Sequence, residues 1–271
     1  MRLSERLERV VSFVRPCASA ADIGTDHALV PVELVRRGIV KKAIAMDVRP
    51  GPLSRAKEQI SRAGLSDQIE PRLSDGLAAL KPQEAETVII AGMGGELIIR
   101  ILTVGRHMWD SVAQWVLSPH SEVFKVRGWL LENGFSIEKE DMVCEDGKYY
   151  VLMDVKRAEA ETGAETEAET EAETEAETEA GEGTGAEAGL KTESPARDTE
   201  FVRLLYGDSL IRERNPVLAQ YLKEEEQMLM EREASLRQSA KGSLRAAERL
   251  KETETRLKWN REVQDEMQRD H

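Results

Sequence analysis

Up to about residue 157 the chain alternates between two hydrophobic rhythms. Short apolar runs such as "AADI", "KAIAMD", "TVIIAG" and "QWVLSP" are separated by stretches in which apolar residues return every three or four positions. That alternation is the signature of a parallel sheet with crossover helices. In "LSERLERVVSFV", Leu3, Leu7, Val10, Val11 and Val14 share one helical stripe, leaving Arg2, Arg6 and Arg9 toward solvent. Strands are expected over 20–23, up to Asp47, over 69–73, 87–92 and 114–119, with helices over 28–37, 53–63, 96–104 and 122–132. Gly38, Gly64, Gly105 and Gly134 each follow a helix, where a left-handed C-cap is expected. "FSIEKEDMVCEDGKYYVLMDV" predicts an antiparallel hairpin around Asp146 and Gly147. Five crossover-linked strands and a hairpin give an α/β, doubly wound, seven-stranded domain over 1–157.

A narrower rhythm governs the end of the chain. "NPVLAQYLKEEEQMLMEREASLRQSA" and "SLRAAERLKETETRLKWNREVQDEM" predict two long, charged helices with thin apolar seams. Pro216 after Asn215 suits a helix start, and Gly242 with Ser243 suits the break. Leu218, Leu222, Leu229 and Leu236 facing Leu244, Leu250 and Leu257 would make an antiparallel coiled-coil hairpin over 199–271 that packs on itself.

Between the two lies an acidic tetrad repeat, within an expected linker over 158–198. Its 12 Glu, with no Lys or Arg, account for all but one unit of the formal charge of -13. Glu recurs at every second position, so like charges meet at i,i+4 and oppose a helix, and no large apolar residue offsets the entropy of ordering. The segment is expected to be a disordered spacer that repels anionic polymers. The parts on either side are close to neutral, so the acidity does not exclude a nucleic-acid partner.

No apolar stretch reaches about 18 residues and "MRLSERLERVV" lacks a signal-peptide order, which predicts a cytoplasmic protein with no membrane partner. Cys17 and Cys144 have neither CxxC spacing nor a His cluster, so no metal site is expected.

Four expected strand ends carry chemistry: Asp22 to His27, Asp47, Asp75 with Gly76, and Gly92, Met93, Gly94 and Gly95. In open parallel sheets ligands bind at the carboxyl ends of strands. A dinucleotide turn reads G-x-G-x-x-G, whereas "DIGTDHA" keeps only Gly24 and sets Asp26 where a pyrophosphate would lie, a repulsion of several kcal/mol. S-adenosylmethionine, with its sulfonium and ammonium, suits these acids instead. Asp47 falls where a carboxylate accepts from ribose hydroxyls, and Asp75 where one reaches an adenine amino group. Each residue has a plainer reading: Asp22 satisfying strand-end amides, Asp47 and Asp75 capping helices, His27 held in the core. Their shared location favours the cofactor.

"LSERLERV", "ADIGTDHALVP", "GPLSRA", "SDGL", "AGMGG", "ENGFSIEKE" and "EDGKYY" resemble, in order and spacing, the bacterial tRNA (adenine(22)-N1)-methyltransferases known as the TrmK family. The resemblance covers residues 1 to about 155, and the helical tail is also similar. It implies a class I, Rossmann-like, S-adenosylmethionine-dependent enzyme that methylates N1 of an adenine in the D-arm region of tRNA. It places Asp22, Gly24, Asp26, His27, Asp47, Asp75, Gly76 and Gly92 to Gly95 around the cofactor. Ser118, Pro119 and His120 stand where many members have Gln-Pro. Asp26 is the candidate to stabilise the cationic product, with His27 orienting it or the base. Arg2, Arg6, Arg9, Arg36, Arg37, Lys41, Lys42 and Arg55 are the candidate phosphate contacts. A monomer is expected. A methyltransferase for a small molecule or protein, or a non-catalytic scaffold, remain the alternatives.

Overall fold

The computed structural model describes residues 3–158, 195–239 and 243–269. Arg2, Gly242 and nearly all of the expected linker fall outside the described residues. One sheet of seven strands forms the centre, in the order β3-β2-β1-β4-β5-β7-β6. The strands are β1 (Cys17–Ile23), β2 (Val40–Asp47), β3 (Ile69–Leu73), β4 (Thr87–Met93), β5 (Gln114–Pro119), β6 (Phe135–Glu145) and β7 (Lys148–Arg157). The first five are parallel, and β7 slots antiparallel between β5 and β6. Asp146 and Gly147 both have positive φ, which suits the two-residue turn joining β6 to β7.

Crossover helices α2 (Leu29–Arg36), α3 (Pro50–Ala63), α4 (Gly95–Val104) and α5 (Val123–Glu132) follow β1, β2, β4 and β5. Helix α1 (Glu5–Phe13) precedes them, capped by the Ser4 hydroxyl, which accepts from the Leu7 amide at 3.4 Å. Its stripe buries Val10, Val11 and Phe13. Gly38, Gly64 and Gly134 adopt the expected left-handed conformation. Gly105 does not: its φ is -82°. Glycine is required there for room, because a β-carbon would collide with the Leu77 side chain and lie 2.9 Å from the Ile101 carbonyl.

The tail differs from the self-contained hairpin expected. Its helices are α6 (Pro195–Tyr206), α7 (Asp208–Arg212), α8 (Pro216–Ser239) and α9 (Leu244–Gln268). The sequence pattern missed α6 and α7, which are short and lack a seam, and α6 begins inside the expected linker span. Tyr206, Leu210, Ile211, Leu218, Leu222, Trp259, Val263 and Met267 merge with Trp115, Met142, Val151 and Met153 into one core. Leu244 lies 87% exposed, away from the seam.

Two polar clusters fix this docking. The buried Arg127 guanidinium donates to Glu140 at 2.8 Å and to the carbonyls of Leu204 at 2.7 Å and Leu205 at 3.0 Å. Ser209 donates to the other oxygen of Glu140 at 3.0 Å. Between α8 and α9, Glu225 accepts from Tyr206, Tyr221, Arg256 and Asn260 at 2.6 to 2.9 Å. Buried charges of this kind are tolerated when paired: both oxygens of Glu140 and of Glu225 have donors, while Arg127 Nη2 alone makes no hydrogen bond.

Candidate functional site

The carboxyl ends of β1 to β4 gather the turns singled out in the sequence. After β1 the chain turns through Gly24 at φ +74°, and the Gly24 and Thr25 amides both donate to the Met46 carbonyl at 2.8 Å. This staples the turn to β2. A β-carbon on Gly24 would meet the ε-methyl of Met93, a flexible side-chain end that can move, so it is the left-handed backbone that calls for glycine. His27 and Ala28 continue with positive φ into α2, which no side chain caps.

Asp22 is buried at the end of β1, and among the described residues no cation pairs with it. Burial is the main reason its pKa rises to about 6; the Thr25 hydroxyl beside it pulls the value back, and Asp26 and Asp47 push it up. The Thr25 hydroxyl is itself buried and makes no hydrogen bond by distance and angle, so its effect on Asp22 acts from outside good hydrogen-bond geometry. A desolvated carboxylate with an open donor beside it suits a ligand carrying an ammonium and a carboxylate or hydroxyl.

Asp26 is different. Its side chain is 81% exposed, with His27 Nε2 3.5 Å away. The expected catalytic pair therefore sits on the solvent rim, not in the crevice. Asp47 is buried, and its Oδ1 accepts from the Arg49 amide at 2.7 Å, a turn-forming role that leaves Oδ2 for another donor. The next turn hangs from β2, with the Ser74 amide donating to the Asp47 carbonyl at 3.0 Å. Ser74 then braces it by donating to the Gly76 carbonyl at 2.9 Å and accepting from the Ala79 amide at 3.0 Å. This leaves Asp75 exposed and sets Gly76 against Ile101.

The run from Gly92 to Gly95 is pressed against the loop after β5. The His120 amide donates to the Met93 carbonyl at 2.8 Å and the Gly95 amide to the Ser121 carbonyl at 3.1 Å. A β-carbon on Gly95 would come within 2.7 Å of that carbonyl, which is why α4 starts on a glycine.

The candidate phosphate contacts do not converge. Arg36, Arg37, Lys41 and Lys42 lie at the end of α2 and the start of β2, on the rim opposite the strand ends. Arg37 is already bound by Glu8 through two hydrogen bonds of 2.8 Å and by Glu33, and Arg36 lies 3.5 Å from Glu33. Arg9 pairs with Asp141 at 2.9 Å. Arg55, exposed in α3, and Arg6, in the first turn of α1, are on the site's side of the sheet.

Sequence reasoning gave no role to the residues that meet Arg6. Its guanidinium lies 5.4 Å from the centre of the Tyr150 ring, and the His120 ring lies 5.2 Å from the same ring on a tilted edge. Partial burial, Arg6 and Lys148 together lower the His120 pKa, favouring the neutral imidazole. Ser118, by contrast, is fully buried in β5 and contacts no solvent. "EDGKYY" was the only signal for Tyr150, and its position beside α1 is a property of the fold. Among the described residues no cluster of His, Cys, Asp and Glu is arranged for a metal, and no helix is long and apolar enough to cross a membrane.

The model of a methyltransferase domain matches residues 3–153. The tRNA (adenine(22)-N(1))-methyltransferase of Bacillus subtilis is 36% identical over 153 residues, which is 56% of this chain and 64% of that relative. The chain thus spans about 64% of the length of the curated relatives it matches. Streptococcus pneumoniae Sp1610, a candidate tRNA (m1A22) methyltransferase, superimposes with a TM-score of 0.74 at 30% identity, covering 97% of this chain and 100% of Sp1610. The same protein in complex with S-adenosyl-L-methionine gives a TM-score of 0.73 at 29% identity, with 97% and 100% coverage. The structure of TrmK from B. subtilis gives 0.74 at 28% identity, covering 97% of this chain and 99% of that one.

Proposed function

The chain belongs to the methyltransferase-domain family, in its TrmK branch, and from that premise we propose that it methylates N1 of adenine 22, in the D-arm region of tRNA, using S-adenosylmethionine. The observation that carries this reading is Asp22: a buried carboxylate with no cation beside it among the described residues, set next to a glycine turn at the carboxyl end of β1.

The residues present fit the donor. Asp22 takes its ammonium, Asp47 offers Oδ2 to ribose hydroxyls, and Asp75 faces the adenine amino group from the open edge. Charge-assisted hydrogen bonds of this kind contribute roughly 1.5 to 3 kcal/mol each. Gly24, Gly76 and the run from Gly92 to Gly95 let the backbone approach closely. When bound, S-adenosylmethionine supplies a methyl group activated on a positive sulfur.

Adenine N1 presents an in-plane lone pair, so no side chain has to remove a proton before a bond to carbon forms. The protein's work is alignment and water exclusion, which bring N1 to about 3 Å from its target and remove the entropy cost of encounter. The product adenine is cationic. Asp26 and His27 can balance that charge from the rim, but an exposed carboxylate contributes less than about 1 kcal/mol. Positioning therefore outweighs Asp26 in this reading. The target base must also leave its stacked place to reach the crevice.

The same reading has the chain act as a monomer in the cytoplasm. Leu218, Leu222, Trp259 and Val263, which would form the seam for a second copy, are spent on the sheet core. The test is to incubate the purified chain with tRNA and isotopically labelled S-adenosylmethionine and to map modified adenines. N1-methyladenosine at position 22 is expected; cofactor binding without transfer to tRNA overturns the reading.

A further inference from the structure

At the end of β4 the backbone opens at Gly92, whose φ of +85° accompanies a break in register between β4 and β5. A β-carbon built there would stand 3.7 Å from Arg6 Nη1 and 3.7 Å from His120 Nε2. A guanidinium and an imidazole thus point at one spot, on the side of the crevice away from Asp22 and Asp47. Tyr150 lies against both groups.

The Arg6 guanidinium is not needed to hold α1 in place. Glu145 already accepts from the Arg6 amide at 3.2 Å, and Arg9 already pairs with Asp141. Among the described residues no carboxylate pairs with the Arg6 guanidinium, in contrast to Arg9, Arg36 and Arg37. A cation left unpaired and braced on an aromatic ring is prepared for an external anion. His120 in its neutral form carries one donor and one acceptor, the complement of a base edge. The strand ends are thereby sorted by charge: the buried carboxylates Asp22 and Asp47 on β1 and β2, and Arg6 with the His120 imidazole beside the end of β4.

We propose that Arg6, His120 and Tyr150 form the subsite for the acceptor nucleotide, with Arg6 binding its phosphate, His120 contacting its base over Gly92, and Tyr150 holding both in position. This inference rests on the RNA-methylating reading above and adds to it the residues that receive the target. An RNA phosphate is the anion favoured, because the guanidinium and the imidazole converge over Gly92, a pairing of anion and base contacts that a nucleotide satisfies.

The test uses the full-length chain with tRNA, following methyl transfer at saturating S-adenosylmethionine and measuring cofactor binding by calorimetry. Arg6→Ala should raise the KM for tRNA about tenfold and lower the slope of log affinity against log salt by about one, as expected for one lost phosphate contact. Arg6→Lys should restore most of the salt slope. His120→Ala should lower kcat about tenfold or more, and Tyr150→Leu should alter both parameters while Tyr150→Phe stays near wild type. Cofactor affinity should remain within about twofold in each. A wild-type enzyme that methylates tRNA, with Arg6→Ala and His120→Ala unchanged in KM, kcat and salt slope, overturns this inference alone. Loss of cofactor affinity in both variants overturns it as well, by assigning the cluster to the donor side. A wild-type chain that binds the cofactor and transfers nothing to tRNA removes the underlying reading and this inference together.

Discussion

The ε-methyl of Met93, at the end of β4, fills the position that a β-carbon on Gly24, at the end of β1, would occupy. The Met93 side chain therefore fills the space between these neighbouring strand ends. Gly24→Ala should be destabilising chiefly through its left-handed backbone, which costs an alanine about 1 to 2 kcal/mol, since the terminal methyl of Met93 can swing aside. A lower melting temperature and at least tenfold weaker S-adenosylmethionine binding are expected. Met93→Ala, which empties that space, should keep binding within a few fold; abolished binding there would show that the methionine itself holds the ligand.

In its proposed role, Asp22 links cofactor binding to pH. Its folded-state pKa of about 6 lies above the ordinary 3.8, so the charged form is penalised in the folded protein. The sign follows: the penalty is fully present above about pH 6, shrinks as the pH falls, and is gone below the ordinary 3.8, where both states are protonated. Without cofactor, Asp22→Asn should stabilise the chain at pH 7 by about 2 to 3 kcal/mol, with little gain near pH 4. With cofactor the ranking reverses, since the ammonium needs the carboxylate. Calorimetry should show affinity declining below about pH 6 in the wild type and flat, weak binding in the variant. Equal affinities for the two proteins would remove Asp22 from the site.

Arg127 decides whether α6 and α7 stay on the sheet. Its truncation strands Glu140 and frees the carbonyls of Leu204 and Leu205, so Arg127→Ala should cost about 3 to 5 kcal/mol in urea denaturation. Replacing both partners, Arg127→Met with Glu140→Leu, should recover much of that loss, because the pair's own desolvation disappears too. A double variant no better than the single would mean that the backbone carbonyls dominate.

Acid should weaken the contact between α8 and α9. Burial works against the Glu225 carboxylate, but Arg256, Tyr206 and Asn260 outweigh it and hold the pKa below the ordinary 4.5. A lowered carboxylate pKa gives stability that is present above the ordinary value and lost as the pH falls through the lowered one. Glu225→Gln should therefore melt earlier at pH 7 and converge with wild type in strong acid, by far-UV circular dichroism. Parallel pH curves for the two proteins would refute the assignment.

The parallel half of the fold was legible because each strand there is a short apolar run and each crossover helix has a stripe and a stop. "KAIAMD" and "QWVLSP" have no other stable use. The strand ends carrying Asp22, Asp47, Asp75 and Gly92 came with them, since topology alone brings those ends to one rim. Periodicity could not tell that β7 enters between β5 and β6, nor that the α8 and α9 seam packs on the sheet, because an apolar stripe does not name its partner. The outward aim of Asp26 was hidden for a related reason: it depends on left-handed backbone at His27 and Ala28, two residues with no strong preference for it. Arg6, His120 and Tyr150 come from α1, the end of β5 and the start of β7, so no local spacing could connect them.

The stretch between β7 and α6 is clamped independently at its two margins. The Ala158 amide donates to the Gly134 carbonyl at 2.9 Å, and α6 is caught by Arg127 through the carbonyls of Leu204 and Leu205. Both moorings are made entirely by residues outside 159–194, so substitutions confined to that span leave each of them in place.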